Sequence, residues 1–466
     1  GLKDAVRIYI AFQNQYFAVN KERFRQRMIY GLGDGLNDWS LITADTQDGI
    51  LRITGYSAKG SLFMNAWDPV GENGFSDVYS LVCAEPTGMS AMFESPATAI
   101  ATPLLVIPQD VETKVGRNED GEVVGELPVP EEALFYDSAK NEWISSGTDV
   151  RAMSKATYSF RFGKFHHGRS MSITDFLYAE AFAEEWTNND GEDDRYYDAS
   201  YESGHRPGRE TMKGWIVHPD NTLTSYFDYN FPASKERTAS WGAPSLSVLT
   251  GRPNIMVSWE ILEALAHLVA EGSASGTTYS FTFGDLTQVD VLRPSSVADI
   301  KAKLQEMKDQ QHVPDSIRAY VTPEEAVAGY EAAIQWIDIH GHALISCGPF
   351  YIEKYDPATN YMELTAFRDP EYPFTPDYWP KALATTMVQI DSIDLPALYS
   401  TQEQTMPVKV YLSEVRYPDQ ISNPAEQGEV SIMVITATEE LSYSAQYIEP
   451  GLFEAAIPIE VLEPGS

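Results

Sequence analysis

The chain has 466 residues, 43% of them hydrophobic, which is long enough for two or three domains with cores of their own. Its 33 Lys and Arg stand against 68 Asp and Glu, a formal charge of −35 that repels phosphate backbones and anionic membranes and argues against nucleic acid as a partner. No apolar run approaches the roughly 18 residues of a membrane span, and the start "GLKDAVRIYI" has neither signal-peptide anatomy nor an initiator Met, so the chain is expected to be a processed piece of something longer.

In chain order, "AVRIYIAF" (5–12) reads as a buried strand and residues 20–39 as a short helix closed by glycines. Residues 61–88 are loop-rich, and the polar, Gly-containing stretch 111–130 reads as an exposed hairpin. "TYSFRF" (157–162) alternates as a strand does. A Gly/His turn follows, and then Ser172 or Thr174 caps a helix. "NNDGEDDRYYD" (188–198) is an acidic loop that fits no EF-hand order and reads as solvated. Residues 214–229 form a hairpin on the turn "HPDN". Helical periodicity covers 256–271, 296–310 and 323–338, the last with Thr322 as N-cap and Pro323 at its first position. Strands are expected at 343–355 and 361–368. Beyond about residue 385 only alternating segments remain. Residues 381–466 carry three basic side chains (Lys381, Lys409, Arg416) against thirteen acidic, and the segment reads as a small β-sandwich.

Cys83 and Cys347 are too few for a disulfide framework, and one long-range bridge or two buried thiols both stay open. His166 and His167 are adjacent, so in an extended chain they point apart and chelate one metal poorly. His340 and His342 could share a strand face with Cys347 nearby, but no HExxH or CxxC completes a zinc set. Ordinary turn and hydrogen-bonding histidines are therefore the expectation, with no metal and no cofactor. No GxSxG or GxxxxGK[ST] element occurs, so serine-hydrolase and P-loop NTPase readings lack support, while 68 acidic residues neither supply nor exclude a glycosidase's carboxylate pair; an enzyme is the minority reading.

Three stretches in order resemble the family 5 solute-binding proteins of ABC transporters, the oligopeptide and dipeptide class. "NAWDPVGENGFSDVYSLVCAEPTG" (65–88), with Pro103 following, is similar to the family's opening of domain I. "TYSFRFGKFHHGRSMSITDF" (157–176) is similar to its strand–turn–helix signature, with His167 where the family has Asp and Asp175 matching the helix Asp. "ISCGPFYIEKYDPATNYMELTAFRDPEYPF" (345–374), with "YW" after it, resembles its late hairpin, with Cys347 in place of Thr. The spelling looks most like archaeal members, which tend to carry a β-rich stalk before a membrane anchor.

The resemblance implies an α/β fold, with periplasmic-binding-protein type II-like lobes over 61–384 and a stalk-like β-sandwich over 385–466. Residues 1–60 are expected to be the end of a preceding lobe or hinge. It implies an extracellular protein, membrane-anchored in its precursor, that closes over an oligopeptide or similar small solute (an oligosaccharide is the other option) and delivers it to an ABC permease. Asp68 is the expected partner of a ligand amino group. Trp67, Asn65, Tyr79 and Trp241, in loop-like contexts, and Phe350 and Tyr351, after a Gly-Pro turn, are the remaining ligand-binding residues. Trp259 and Trp336 are assigned to the core. The alternative is a solute-binding-like protein reused as a cell-surface or filament subunit, through self-association along a β edge.

Overall fold

The computed structural model describes residues 38–53, 84–249, 256–281, 285–356, 361–375, 378–396, 404–418, 421–435 and 439–461, with 20, 22–25, 29 and 358–359 besides. It is a mixed α/β protein with several sheets. Over 20–39 the expected helix does not form at 22–25. There Asn20 Oδ1 accepts from the Glu22 N–H and makes a turn, and Phe24 bridges to Thr46. An Asn side chain that offers its own backbone a turn competes with helix in this way. Among the described residues of this region a helix covers Asp38–Thr43.

The main sheet has six strands: β1 (Val106–Thr113), β2 (Leu134–Asp137), β3 (Glu142–Ser145), β4 (Ser154–Phe160), β5 (Met212–Val217) and β6 (Leu223–Phe227). Their order is β1-β4-β6-β5-β2-β3 and every pairing is antiparallel. Among the described residues the parallel pairing is Tyr279–Ser280 on Thr287–Gln288. The expected hairpin at 111–130 is present as Val115–Arg117 on Val123–Gly125, and "HPDN" turns β5 into β6 with Asn221 at φ 62°.

Against the sheet lies α1 (Ile173–Thr187). Ser172 Oγ accepts from the Thr174 N–H while Asp175 Oδ2 accepts from the Ser172 N–H, so two otherwise orphaned donors are satisfied reciprocally. After it come α2 (Ala199–Arg209), α3 (Trp259–Glu271), α4 (Pro294–Gln310) and α5 (Pro323–His340); α3, α4 and α5 pack on one another. Thr322 caps α5 with a reciprocal bond to Glu325, as its spelling predicts. Trp259 and Trp336 are buried in one core that runs from Phe93 through α1, α3 and α5 to Trp379.

The expected strand at 343–355 forms only from Phe350, as β7 (Phe350–Asp356), which pairs with β8 (Tyr361–Ala366). Residues 343–349 are buried and cross between elements, bonding one at a time: Ala343 N to Val291 O, Ser258 N to Ile345 O, His166 N to Ser346 O and Gly348 N to Thr87 O.

The C-terminal β-rich segment holds β9 (Thr385–Asp394), β10 (Thr405–Tyr417), β11 (Ile421–Pro424), β12 (Val430–Ile435), β13 (Glu440–Glu449) and β14 (Leu452–Pro458). They form one path, β9-β10-β14-β13-β12, with β11 on β10. Val408, Val410 and Leu412 of β10 and Phe453, Ala455 and Ile457 of β14 make a separate small core. Val430, Ile432 and Val434 of β12 pack on it as well, so the sheet curls until its far edge reaches its middle. Among the described residues no helix is long and apolar enough to cross a membrane.

Candidate functional site

Among the described residues, two places bring chemistry-bearing side chains together. The first is where the turn between β4 and α1 meets the β7 hairpin. His166 sits in that turn, fully enclosed. Its N–H donates to Ser346 O at 2.8 Å, its Nε2 lies 3.1 Å from Gly348 O, and its Nδ1 faces the Ser346 N–H at 3.4 Å. This pattern places the ring proton on Nε2. Burial pushes the imidazole down to about 3, because a charged ring would lose its hydration there. His342 repeats the arrangement, with Nε2 2.8 Å from Ile352 O and Nδ1 accepting from the Leu344 N–H, and burial pushes it down to about 4.

On the other side of the crossing chain, the Gly348 N–H donates to Thr87 O at 2.8 Å, and a Cβ on Gly348 would lie 2.3 Å from the Thr87 carbonyl carbon. Lys164 reaches Asp369 at 3.5 Å and Glu371 at 3.2 Å, and Gly163 lies against Pro373. The Pro86-Thr87-Gly88 loop, the strand–turn–helix stretch and the late hairpin, scattered over some 290 residues of sequence, thus touch at one junction.

Under that junction Arg169 occupies a buried pocket. It pairs with Asp175 through Nη2–Oδ1 and with Glu260 through Nε–Oε1, both at 2.5 Å, and its guanidinium lies 4.7 Å from the Phe165 ring centroid. Burial works against the Arg169 charge, but Asp175 and Glu260 outweigh it and hold the group protonated. Asp175 is therefore both helix cap and ion-pair partner. The ring nitrogens of His167 are enclosed and find no hydrogen-bond partner among the described residues.

Of the residues expected to bind a ligand, Asn65, Trp67, Asp68 and Tyr79 lie outside the described residues, as does Cys83. Trp241 is half exposed. It stacks on Tyr229 with centroids 4.4 Å apart and donates Nε1–H to Thr211 Oγ1 at 3.0 Å, which places it at the end of the main sheet. Phe350 and Tyr351 open β7, opposite Ala366 and Thr365. Tyr351 packs against Trp336, His340 and His166, with centroids 5.5, 5.4 and 5.9 Å away, so it belongs to the junction and not to the Trp241 neighbourhood. Cys347 is a free, buried thiol 3.4 Å from Met256 Sδ, and burial pushes its pKa up, which suits a packing residue and not a nucleophile.

The second place was missed in the sequence. Glu263 and His267 lie one turn apart on α3, and His312 follows α4. Glu263 Oε1 is 3.2 Å from His267 Nε2 and 2.6 Å from His312 Nε2, while Oε2 accepts from the Tyr178 O–H at 2.6 Å. His267 Nδ1 lies 3.0 Å from Glu271 Oε2. Burial alone would raise the Glu263 carboxyl, but the two imidazoles outweigh it and hold it at about 2. His267 also pays for burial, yet the carboxylates of Glu263 and Glu271 raise it above its ordinary value. The signal available was the Glu-x-x-x-His spacing, which puts both side chains on one helix face. His312 joins them only through the packing of α3 on α4.

Compared with models of known protein families and with curated protein sequences, the chain matches none.

Proposed function

We propose that this chain is an extracellular solute-binding component of an ABC importer, a binding protein rather than an enzyme. Its cargo would be an oligopeptide or a similar small solute, enclosed between lobes of periplasmic-binding-protein type II kind and handed to a membrane permease. The observation that carries the reading is the junction of the three stretches on which the resemblance rests. Residues that were matched by spelling alone have reasons to be what they are. Gly348 must admit the Thr87 backbone, Asp175 caps α1 and holds Arg169, and Gly163 makes room for Pro373. A junction of this kind fixes the angle between sheet, helix and hairpin, and a lobe that closes over a ligand needs such a rigid frame.

Within the reading, Asp68 pairs with the solute's amino group and Trp67, Asn65 and Tyr79 complete the cleft. A thermal-shift screen of the purified chain against oligopeptide and oligosaccharide pools tests it, since whatever binds the native state raises its melting temperature. Saturable stabilisation by one class supports the reading, and a flat response across both pools refutes it.

The second reading, a structural cell-surface or filament subunit, is favoured by the edges of the C-terminal sheet. Val388, Ile390 and Ile393 on β9 and Met433 and Ile435 on β12 are all more than half exposed. Long apolar edge strands are templates for pairing with another chain.

A further inference from the structure

We propose that Glu263, His267 and His312 bind one divalent transition-metal ion, zinc above all, through one carboxylate oxygen and two imidazole nitrogens. The three side chains each bring a donor atom to one point, all lying within 4.8 Å of one another. Around four-coordinate zinc, with bonds of 2.0–2.1 Å, neighbouring donors sit about 3.3 Å apart. Glu263 Oε1 and His267 Nε2, at 3.2 Å, already have that spacing. His312 Nε2, at 2.6 Å from Glu263 Oε1, has to withdraw by less than about 1 Å. It is the more exposed of the two partly buried histidines, and it faces a cavity of about 300 Å³ that Val313, Arg318 and Val321 also line. The cavity gives the ion a way in and leaves room for water as the fourth ligand. Arg318, the cation on that wall, is paired with Asp315.

The surroundings are those a metal site requires. A ligating histidine is ordinarily oriented by a carboxylate on its other nitrogen, and Glu271 stands in that place for His267. With Nδ1–H held by Glu271, Nε2 is the nitrogen that would give up its hydrogen bond to Glu263 and turn its lone pair to an ion between them. The ligating carboxylate is fixed in the same manner by the Tyr178 hydroxyl. Two nitrogens and one oxygen suit zinc and its neighbours and disfavour magnesium and calcium, which take oxygen ligands. Without an ion the same contacts are hydrogen bonds of two imidazoles to one buried carboxylate, and the two states separate by experiment. The metal site does not depend on the solute-binding reading.

The test is a zinc titration of the chelator-stripped full chain against a chromophoric competitor, with magnesium and calcium as comparators and no solute present. The expected result is one zinc per chain, unaffected by excess magnesium or calcium. Cobalt in its place should give the visible absorption of a four-coordinate ion. Glu271→Gln should weaken zinc at least about tenfold, and His312→Ala should abolish it. His312 is exposed enough for that variant to keep the parent's circular dichroism, and His340→Ala serves as the histidine control outside the cluster. Absence of stoichiometric zinc binding overturns the proposal, as does undiminished binding in His312→Ala.

Discussion

The Gly348 amide donates to Thr87 O at 2.8 Å, and the two backbones are so close that any side chain at 348 would enter the Thr87–Gly88 peptide. This one contact ties the late hairpin to the Pro-Thr-Gly loop some 260 residues earlier in the chain. The obstacle to a Cβ is backbone and cannot rotate away. We therefore expect Gly348→Ala to destabilise the protein by about 3 kcal/mol, at the upper end of overpacking costs. Urea unfolding of the variant checks this, with Gly341→Ala as the comparison. Gly341 ends α5 in a left-handed turn with open space around it, so its variant should lose only about 1 kcal/mol, from backbone strain.

Among the described residues Arg169 is the ionic partner of both Asp175 and Glu260, and the side chains of those two are almost wholly enclosed. Arg169→Met keeps much of the volume and leaves two carboxylates buried without a cation. A loss of about 3–5 kcal/mol is expected. The double variant Arg169→Met with Glu260→Gln should recover part of it, because one stranded charge is gone. A double-mutant cycle by chemical denaturation measures the coupling.

His166 and His342 are held neutral by burial, at about 3 and about 4 against an ordinary value of 6.5. The sign follows directly. Below pH 6.5 the unfolded chain takes up a proton on each ring that the folded protein refuses, so stability is full above 6.5 and falls as pH drops toward the folded values. At pH 5 each ring costs about 2 kcal/mol. Glu185, raised to about 8 by burial and by Asp190 and Asp194, works in the opposite direction over part of this range. The clean check is therefore residue-resolved: NMR titration should show both imidazoles neutral from pH 7.5 to 5. A titration near 6.5 would contradict the enclosed geometry.

Much of this architecture was legible in the residues, and the exceptions have physical causes. The helices α3, α4 and α5 were readable because apolar spacing, Thr322 and Pro323 agree with one another. The α1 cap and the "HPDN" hairpin were readable for the same reason, since each is decided within a few residues. Helix α2 escaped notice because Gly204, Pro207 and Gly208 spoil its propensity. It forms because Asp198 caps it and Arg209 is anchored to Glu180 at 2.5 Å, the second of these a tertiary contact. Residues 343–349 read as strand by composition, yet their hydrogen bonds go to four separate segments that no local pattern reveals.

At the sites the limit is the same. Asp175 was matched by spelling, but Glu260, which shares Arg169 with it, lies 85 residues on. His340, His342 and Cys347 drew attention by proximity in sequence, whereas the histidines that converge are His267 and His312, brought together by two helices packing. Trp241 and Tyr351 were both offered as ligand contacts, and the fold puts them in different neighbourhoods.

Native mass spectrometry of the purified chain, incubated with a defined oligopeptide library, tests the central reading most directly. The account predicts a monomer carrying one peptide, with the complex lost in Asp68→Asn. A chain that carries no peptide at any concentration, or that appears only as large ordered assemblies, would contradict it.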